Sequence, residues 1–278
     1  MKLKRIINPN DRGVKMLISG QPKIGKTSLL LTLPPEETLF IDLEAGDLAV
    51  QGWTGDAVTP QTWEELRDLA CWFVGQSGNI NPSYKPESNF SQAHYQSLID
   101  SHEFDEIDVK KYKTLFVDSL SVAGRLCLQY AKGQPQAFSE KTGKPNLLGA
   151  YGLLGQELIG WATQLQHINH INLVFVCLLD QKLDEYNRPI WTLQIEGQKA
   201  GLEIPGIVDQ VVSMVEMPFE DEKGNAAAPV RAFVCTRPNA WGYPAGDRSG
   251  KLEMIERPHL GQLLNKIRNG ERKVNYEY

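Results

Sequence analysis

The distribution of apolar and polar positions predicts strands that alternate with helices. Short runs in which almost every residue is apolar predict buried strands, at positions 14–19, 38–43, 114–118, 171–179, 208–217 and 230–236. Segments with apolar residues at helical spacing predict helices, at positions 26–33, 62–74, 120–131, 147–167 and 258–268. Strands that are apolar on both faces need cover on both faces. The order therefore predicts a three-layer α/β domain with a central, mostly parallel sheet.

Three polar stretches interrupt this pattern. Positions 75–101 are rich in Gly, Asn, Ser and Pro, which predicts an insertion or mobile loop within about 75–112. Positions 133–145 are typical of a loop, and positions 180–199 of a hairpin or loop. We find no internal repeat or interdomain linker, so we expect one domain over residues 1–278.

Composition narrows the class of protein. Hydrophobic residues at 41% and charged residues at 23% are ordinary for a soluble globular chain, and a net charge of −5 argues against a generally basic coat for nucleic acid. A local basic groove stays possible. The four cysteines have no metal-site spacing, which favours buried, reduced thiols. No run approaches the roughly 20 apolar residues of a membrane span. We expect a cytoplasmic protein without membrane contact.

A glycine-rich motif between the first predicted strand and helix is the strongest chemical signal. Its pattern, Gly-x4-Gly-Lys-Thr, is that of a Walker A phosphate loop, in which backbone N–H groups and a helix N-terminus face the phosphates. The residues predicted to hold ATP are Gly20, Gln21, Pro22, Lys23, Ile24, Gly25, Lys26, Thr27 and Ser28. Lys26 is expected to reach the β- and γ-phosphates, and Thr27 to offer its hydroxyl to Mg²⁺. The alternative is a glycine turn that opens an ordinary helix.

Two carboxylates follow other predicted strands. Asp118 ends an apolar strand, the Walker B arrangement, and is predicted to bind Mg²⁺ together with Thr27. Glu44 follows its own apolar strand and should lie at the same sheet edge as the phosphate loop. A glutamate there can polarise the attacking water. Its alternative is a solvated loop carboxylate.

The two carboxylate motifs carry a family resemblance. Positions 39–44 (LFIDLE) and 115–120 (LFVDSL) resemble the ATPase core of the RecA family, in which the strand-ending Glu is the catalytic base. Positions 204–209 (IPGIVD) and 242–250 (GYPAGDRSG) are similar to phage RecA-like proteins, which include single-strand annealing proteins. The resemblance covers about residues 14–267 and implies a RecA core without separate DNA-binding domains. One departure is the pair Cys177-Leu178, where RecA has Asn-Gln. Gln181 is therefore a candidate for coupling ATP to DNA.

The resemblance also implies residues outside the phosphate loop. RecA-like sites usually receive a cation from a neighbouring subunit, for which the candidates are Arg237, Arg248 and, third, Lys199. Two loops are candidates for single-stranded DNA, because they carry cations and, in the second loop, aromatic rings. The first contains Lys132, Lys141 and Lys144, and the second contains Lys182, Tyr186, Arg188, Trp191 and Lys199. Trp191 has the alternative of a packed hairpin residue.

The function expected from these features is an ATP- and Mg²⁺-dependent ATPase that binds or anneals single-stranded DNA in phage-type recombination. We expect slow, DNA-stimulated hydrolysis and self-assembly into a filament or ring, in the bacterial host cytoplasm if the gene is a phage gene. A single-strand binding protein is a candidate partner. The alternatives are a RecA-fold replicative helicase or helicase loader, and a nucleotide-dependent binding switch with little turnover. Small-molecule kinases are disfavoured, because the chain has no arginine-rich lid.

Overall fold

The structure is a computed structural model that describes residues 12–220 and 226–272. The strands are β1 (Lys15–Gly20), β2 (Thr38–Asp42), β3 (Asp56–Val58), β4 (Thr114–Asp118), β5 (Asn172–Leu183), β6 (Pro189–Leu193), β7 (Gln210–Glu220), β8 (Ala226–Val234), β9 (Gly246–Asp247) and β10 (Ile255–Glu256). The α-helices are α1 (Trp63–Gln76), α2 (Gln92–Ser101), α3 (Leu120–Gly133), α4 (Leu147–Gln166), α5 (Gln198–Ile207) and α6 (Leu260–Asn269). A 3₁₀ helix, Thr27–Thr32, follows the phosphate loop.

All ten strands belong to one sheet. The order along it is β10-β8-β7-β1-β5-β4-β2-β3, with β6 paired to β5 and β9 paired to β7. The neighbours from β7 to β3 are parallel, whereas β6, β8 and β9 pair antiparallel with their partners. In register, Gly20 lies opposite Leu178, and Asp42 opposite Asp118. The carboxyl ends of β1, β2, β4 and β5 therefore meet at one edge.

Helices cover both faces of the sheet. On one face α1, α3, α4 and α5 pack over a large apolar core, in which the buried rings of Trp63 and Trp161 lie 5.9 Å apart. On the other face the 3₁₀ helix and α6 contribute Leu29, Leu30 and Leu260 to a second core. Burial of such side chains stabilises the fold by roughly 1.5–3 kcal/mol each. The predicted three-layer α/β fold is confirmed.

Polar caps begin the helices that the sequence predicted. Thr62 accepts a hydrogen bond from the backbone N–H of Glu65 (3.2 Å) and begins α1. Ser119 does the same for Val122 (3.3 Å), so α3 begins directly after β4. This immediate start places the first turns of α3 beside Asp118.

Three elements differ from what the pattern predicted. The helix expected at 26–33 is present at Thr27–Thr32, but as a 3₁₀ helix of six residues. The loop expected at 75–101 contains α2, which is held by the buried side chains of Tyr95 and Leu98. The helix α5 was not predicted, since Pro205 and two glycines argue against a helix, but Ile204 is fully buried.

Other expectations agree with the structure. The stretch expected at 180–199 to be a hairpin or loop contains the hairpin of β5 and β6, which ends at Leu193, and a loop that leads to α5 at Gln198. All four cysteines are buried and unpaired with one another. Within residues 12–220 and 226–272, none of the helices combines the length and the apolar character needed to cross a membrane.

Candidate nucleotide site

The phosphate loop leaves β1 through a tight turn that requires glycine at two positions. A Cβ on Gly20 would lie 2.9 Å from the carbonyl oxygen of Met214, and Gly25 has a φ of +99°, where side chains are strained. The loop opens into a cavity of about 810 Å³. Of the predicted ATP-binding residues, those that line this cavity are Pro22, Lys23, Gly25, Lys26, Thr27 and Ser28. Ile24 is instead buried against the core.

Lys26 lies inside the loop. Its Nζ donates to the carbonyl oxygens of Gly20 (2.9 Å) and Gln21 (2.8 Å), and only 8% of the residue is exposed. Burial lowers the pKa of Lys26, while the nearby carboxylates of Asp118 and Glu44 act to raise it. The ammonium group is therefore held where a bound phosphate chain would replace the two carbonyls as its partner.

Thr27 and Asp118 lie together at the base of the cavity. The Thr27 hydroxyl donates to Oδ2 of Asp118 at 2.5 Å. Burial raises the pKa of Asp118 to about 6, although the Thr27 hydrogen bond opposes the shift. A hydroxyl and a carboxylate are hard oxygen ligands of the kind that Mg²⁺ prefers, and a bound cation would favour the ionised form of Asp118. The residues present therefore fit a magnesium site.

Glu44 is brought to the same cavity by a turn after β2. The carboxylate of Asp42 accepts hydrogen bonds from the backbone N–H groups of Glu44 (3.0 Å) and Gly46 (2.9 Å). The hydroxyl of Ser119 donates to Oε1 of Glu44. Because Ser119 follows Asp118, this contact joins the turn to the end of β4. The structure thus brings Glu44, Lys26, Thr27 and Asp118 around one cavity.

Comparison with known proteins agrees with this site. The sequence profile of a family described as AAA domain matches residues 12–249, a span that includes all four of these side chains. The chain belongs to the AAA domain family. It is accordingly a P-loop ATPase domain of the AAA type. A search among curated proteins finds no match to the chain.

Two arginines of this AAA domain adjoin the phosphate loop and were not predicted. Arg125, on α3, lines the cavity together with Val122, one turn before it. Arg231, on β8, approaches from the other side: a Cβ on Gly25 would lie 2.7 Å from its Nη1. Arg125 lies seven residues after Asp118, and helical spacing could have found it. Nothing in the sequence distinguishes Arg231, because its position depends on the pairing of β7 with β8.

The cations that the sequence assigned to a neighbour's site lie elsewhere in this chain. Arg248 donates from Nη1 to Oδ1 of Asp209 (2.9 Å), close to the amino end of β7. Arg237 and Arg248 both line a second cavity of about 900 Å³, which runs along α5 and is called here the α5 groove. Lys199, the third candidate, is mostly exposed on α5 and lies 3.8 Å from Glu203.

The α5 groove also collects part of the predicted DNA-binding set. Lys182 and Trp191, from the β5–β6 hairpin, line it opposite Arg237. The Trp191 ring lies 5.1 Å from that of Tyr243, so the packed interpretation of this residue is correct in part. Trp191 nevertheless keeps one side toward the groove.

The remaining DNA candidates lie outside the groove. Arg188 forms an ion pair with Asp184 (2.7 Å), and its guanidinium carbon lies 5.0 Å from the centre of the Tyr186 ring. The candidates from the other predicted loop also lie outside the groove. Lys132 is exposed at the end of α3, and Lys141 and Lys144 are exposed in the segment that follows. Gln181 does not line the ATP cavity, whereas Leu178, three residues earlier on β5, does.

Proposed function

We propose that this AAA domain binds ATP and Mg²⁺, hydrolyses ATP, and uses the nucleotide to control binding of single-stranded DNA in annealing or recombination of the phage type. The observation that supports DNA as the ligand is the α5 groove. It combines the cations Lys182 and Arg237 with the aromatic side chain of Trp191, while Arg248 in the same groove is paired with Asp209. Single strands are bound by this combination, since cations contact the phosphates and rings stack on bases.

The chemistry at the phosphate loop follows from the positions of four side chains. Lys26 would stabilise the charge that develops on the phosphoryl oxygens, and Thr27 and Asp118 would hold Mg²⁺. When bound, Mg²⁺ supplies positive charge to the β- and γ-phosphates. Glu44 would orient the attacking water and accept its proton. Asp42 and Ser119 hold Glu44 in place for this task.

The two sites share a structural element. Leu178 of β5 lines the ATP cavity, and the same strand continues to Lys182, which lines the α5 groove. A conformational change at the phosphate loop can therefore be transmitted to the groove through the few residues of β5 between Leu178 and Lys182. This supports a DNA affinity that depends on the nucleotide.

The test is the binding of a fluorescent oligo(dT) strand, measured by anisotropy with and without a non-hydrolysable ATP analogue and Mg²⁺. We expect Trp191→Ala to weaken binding by roughly 5- to 150-fold, the range for loss of one stacked base. Lys182→Ala should also reduce the salt dependence by about 0.7 in the log–log slope. Lys85→Ala, an exposed cation outside the groove, is the matched control.

The outcomes separate this proposal from its alternatives. An absence of DNA binding at low salt, with ATP still bound, would reject the DNA assignment and favour a nucleotide-dependent switch. DNA binding that Trp191→Ala and Lys182→Ala leave intact would place the strand outside the α5 groove. Electron micrographs of the protein on DNA distinguish a filament from a ring of the helicase type. Annealing of complementary strands is a separate readout.

A further inference from the structure

Two guanidinium groups of the same chain flank the phosphate loop from opposite sides. Arg231 contacts the loop itself, since a Cβ on Gly25 would lie 2.7 Å from its Nη1. Arg125 extends from α3 into the wall of the 810 Å³ cavity that also contains Glu44 and Asp118. Arg125 thus lies in the cavity wall, and Arg231 lies against the phosphate loop.

Neither guanidinium has an ion pair or a side-chain hydrogen bond within residues 12–220 and 226–272. Both residues are exposed, so neither is required to satisfy a buried partner. Other arginines of the domain do have carboxylate partners: Arg188 pairs with Asp184, and Arg248 pairs with Asp209. Arginine presents a planar fork of N–H donors that matches phosphate oxygens. One unpaired fork therefore lies in the wall of the ATP cavity, and the other lies against Gly25 of the phosphate loop.

The two arginines that the sequence favoured for a neighbour's ATP site lie away from the phosphate loop. Arg237 and Arg248 line the α5 groove, and Arg248 is committed to Asp209 and to the carbonyl oxygen of Gly206. Arg248 lies near the amino end of β7, whereas the phosphate loop leaves β1 at its carboxyl end. Arg125, by contrast, lines the ATP cavity, and Arg231 lies against Gly25 of the phosphate loop.

We propose that Arg125 and Arg231 bind the phosphates of ATP within their own chain and take part in its hydrolysis. The inference rests on the proposed ATPase activity. In hydrolysis the water oxygen bonds to the γ-phosphorus, and the bond from this phosphorus to the β–γ bridging oxygen breaks. The bridging oxygen keeps the electron pair and leaves with ADP, while the water proton passes to Glu44. Arg125 neutralises charge on the γ-phosphoryl oxygens, and Arg231 holds the phosphates against the loop.

The test compares Arg125→Ala and Arg231→Ala with the wild-type chain, in ATPase assays and in binding of a fluorescent ATP analogue. We expect Arg125→Ala to lower kcat by about 10²-fold or more, since arginines that neutralise the transition-state charge in P-loop enzymes contribute about 10³–10⁵. Arg231→Ala should weaken nucleotide binding by about 10-fold, the lower end of the effect of losing one hydrogen bond to a charged group. Arg257→Ala, an exposed arginine away from the cavity, is the control. Unchanged thermal unfolding of all three variants excludes loss of fold.

Mixing experiments decide whether the arginines act within one chain. Each variant is mixed with Lys26→Ala, which keeps both arginines but lacks the loop lysine. If the arginines act on their own chain, the mixture has no more activity at sub-saturating ATP than the arginine variant alone. Recovery of a substantial fraction of wild-type activity would overturn the proposal, because it requires an intact arginine to reach a neighbour's loop.

Two further results have distinct meanings. Full activity of Arg125→Ala or Arg231→Ala would remove that residue from the site. A wild-type chain that binds but never hydrolyses ATP would instead reject the ATPase proposal, which is a separate failure.

Discussion

Glu44 is an exposed residue, but its carboxylate and its backbone are both held. Ser119 donates to its carboxylate, and Asp42 accepts from its backbone N–H. Glu44→Gln keeps the acceptor oxygen for Ser119 and loses the ability to take a proton. We predict that kcat for ATP falls by about 10²–10⁴-fold, the usual contribution of a general base, while ATP affinity is retained. Steady-state ATPase assays and nucleotide titrations measure the two quantities.

The matched control for this prediction is Glu36→Gln, an exposed glutamate away from the cavity, which should keep wild-type turnover. A Glu44→Gln protein with full turnover would show that another group orients the water.

Lys15 is a buried lysine at the start of β1 that the chemistry does not use. Its ammonium group donates to the carbonyl oxygens of Ile168 (2.7 Å) and Ile171. Burial lowers its pKa to about 7, with a further lowering by the charge of Arg12. The pKa in the folded state is thus below the value in the unfolded chain. Between about pH 7 and pH 10.5 unfolding takes up a proton, and stability should rise with pH.

We therefore predict that Lys15→Met removes a positive slope of up to about 1.4 kcal/mol per pH unit from the free energy of unfolding in this window. Below pH 7 Lys15 is charged in both the folded and the unfolded protein. The free energies of unfolding of Lys15→Met and wild type should therefore change with pH in the same way there. Urea unfolding at several pH values from 6 to 10 measures the slopes, with the exposed Lys110→Met as control. Equal slopes for Lys15→Met and wild type would mean that Lys15 stays charged when folded.

Residues of the phosphate loop could be predicted from sequence, because the chemistry requires those residue types at a fixed spacing. Asp42 and Arg231 could not. Asp42 acts by a hydrogen bond to the turn that holds Glu44, and the residue type alone does not reveal it. Arg231 reaches Gly25 only because β8 pairs with β7 in one register. Positions that act through local spacing are visible in the sequence, and those that act through pairing are not.

At the scale of elements, uniform apolar runs were the reliable signal. The core strands β1, β2, β4 and β5 are buried on both faces, so their composition alone identifies them. Helix α5 could not be predicted from apolar runs. It buries only Ala200 and Ile204, and its glycines and Pro205 are residues typical of loops. The same holds for α2, a ten-residue helix within a polar segment, since tertiary packing on α1 stabilises it.

The length of β5 also has a functional consequence. An apolar run predicted its first part, but the strand continues through polar residues to Leu183 because β6 pairs with this extension. The extension carries Lys182 into the α5 groove. The hydrophobic pattern therefore predicts the first part of β5, which links the two proposed sites. The second part forms because it pairs with β6, which the pattern does not predict.

At the scale of the whole molecule, the ATP cavity and the α5 groove meet through β5, and thermodynamic linkage constrains them. If ATP raises the affinity for single-stranded DNA by some factor, DNA must raise the affinity for ATP by the same factor, typically about 5- to 150-fold for coupled sites. We predict equal factors, measured with a non-hydrolysable ATP analogue and oligo(dT) by anisotropy in both directions.

Leu178→Ala, which shortens a side chain of β5 that lines the ATP cavity, should bring both factors toward one while each ligand still binds. Leu31→Ala, an exposed leucine beyond the loop, should leave them unchanged. If wild type binds both ligands with factors of one, the two sites are independent, and β5 carries no signal between them.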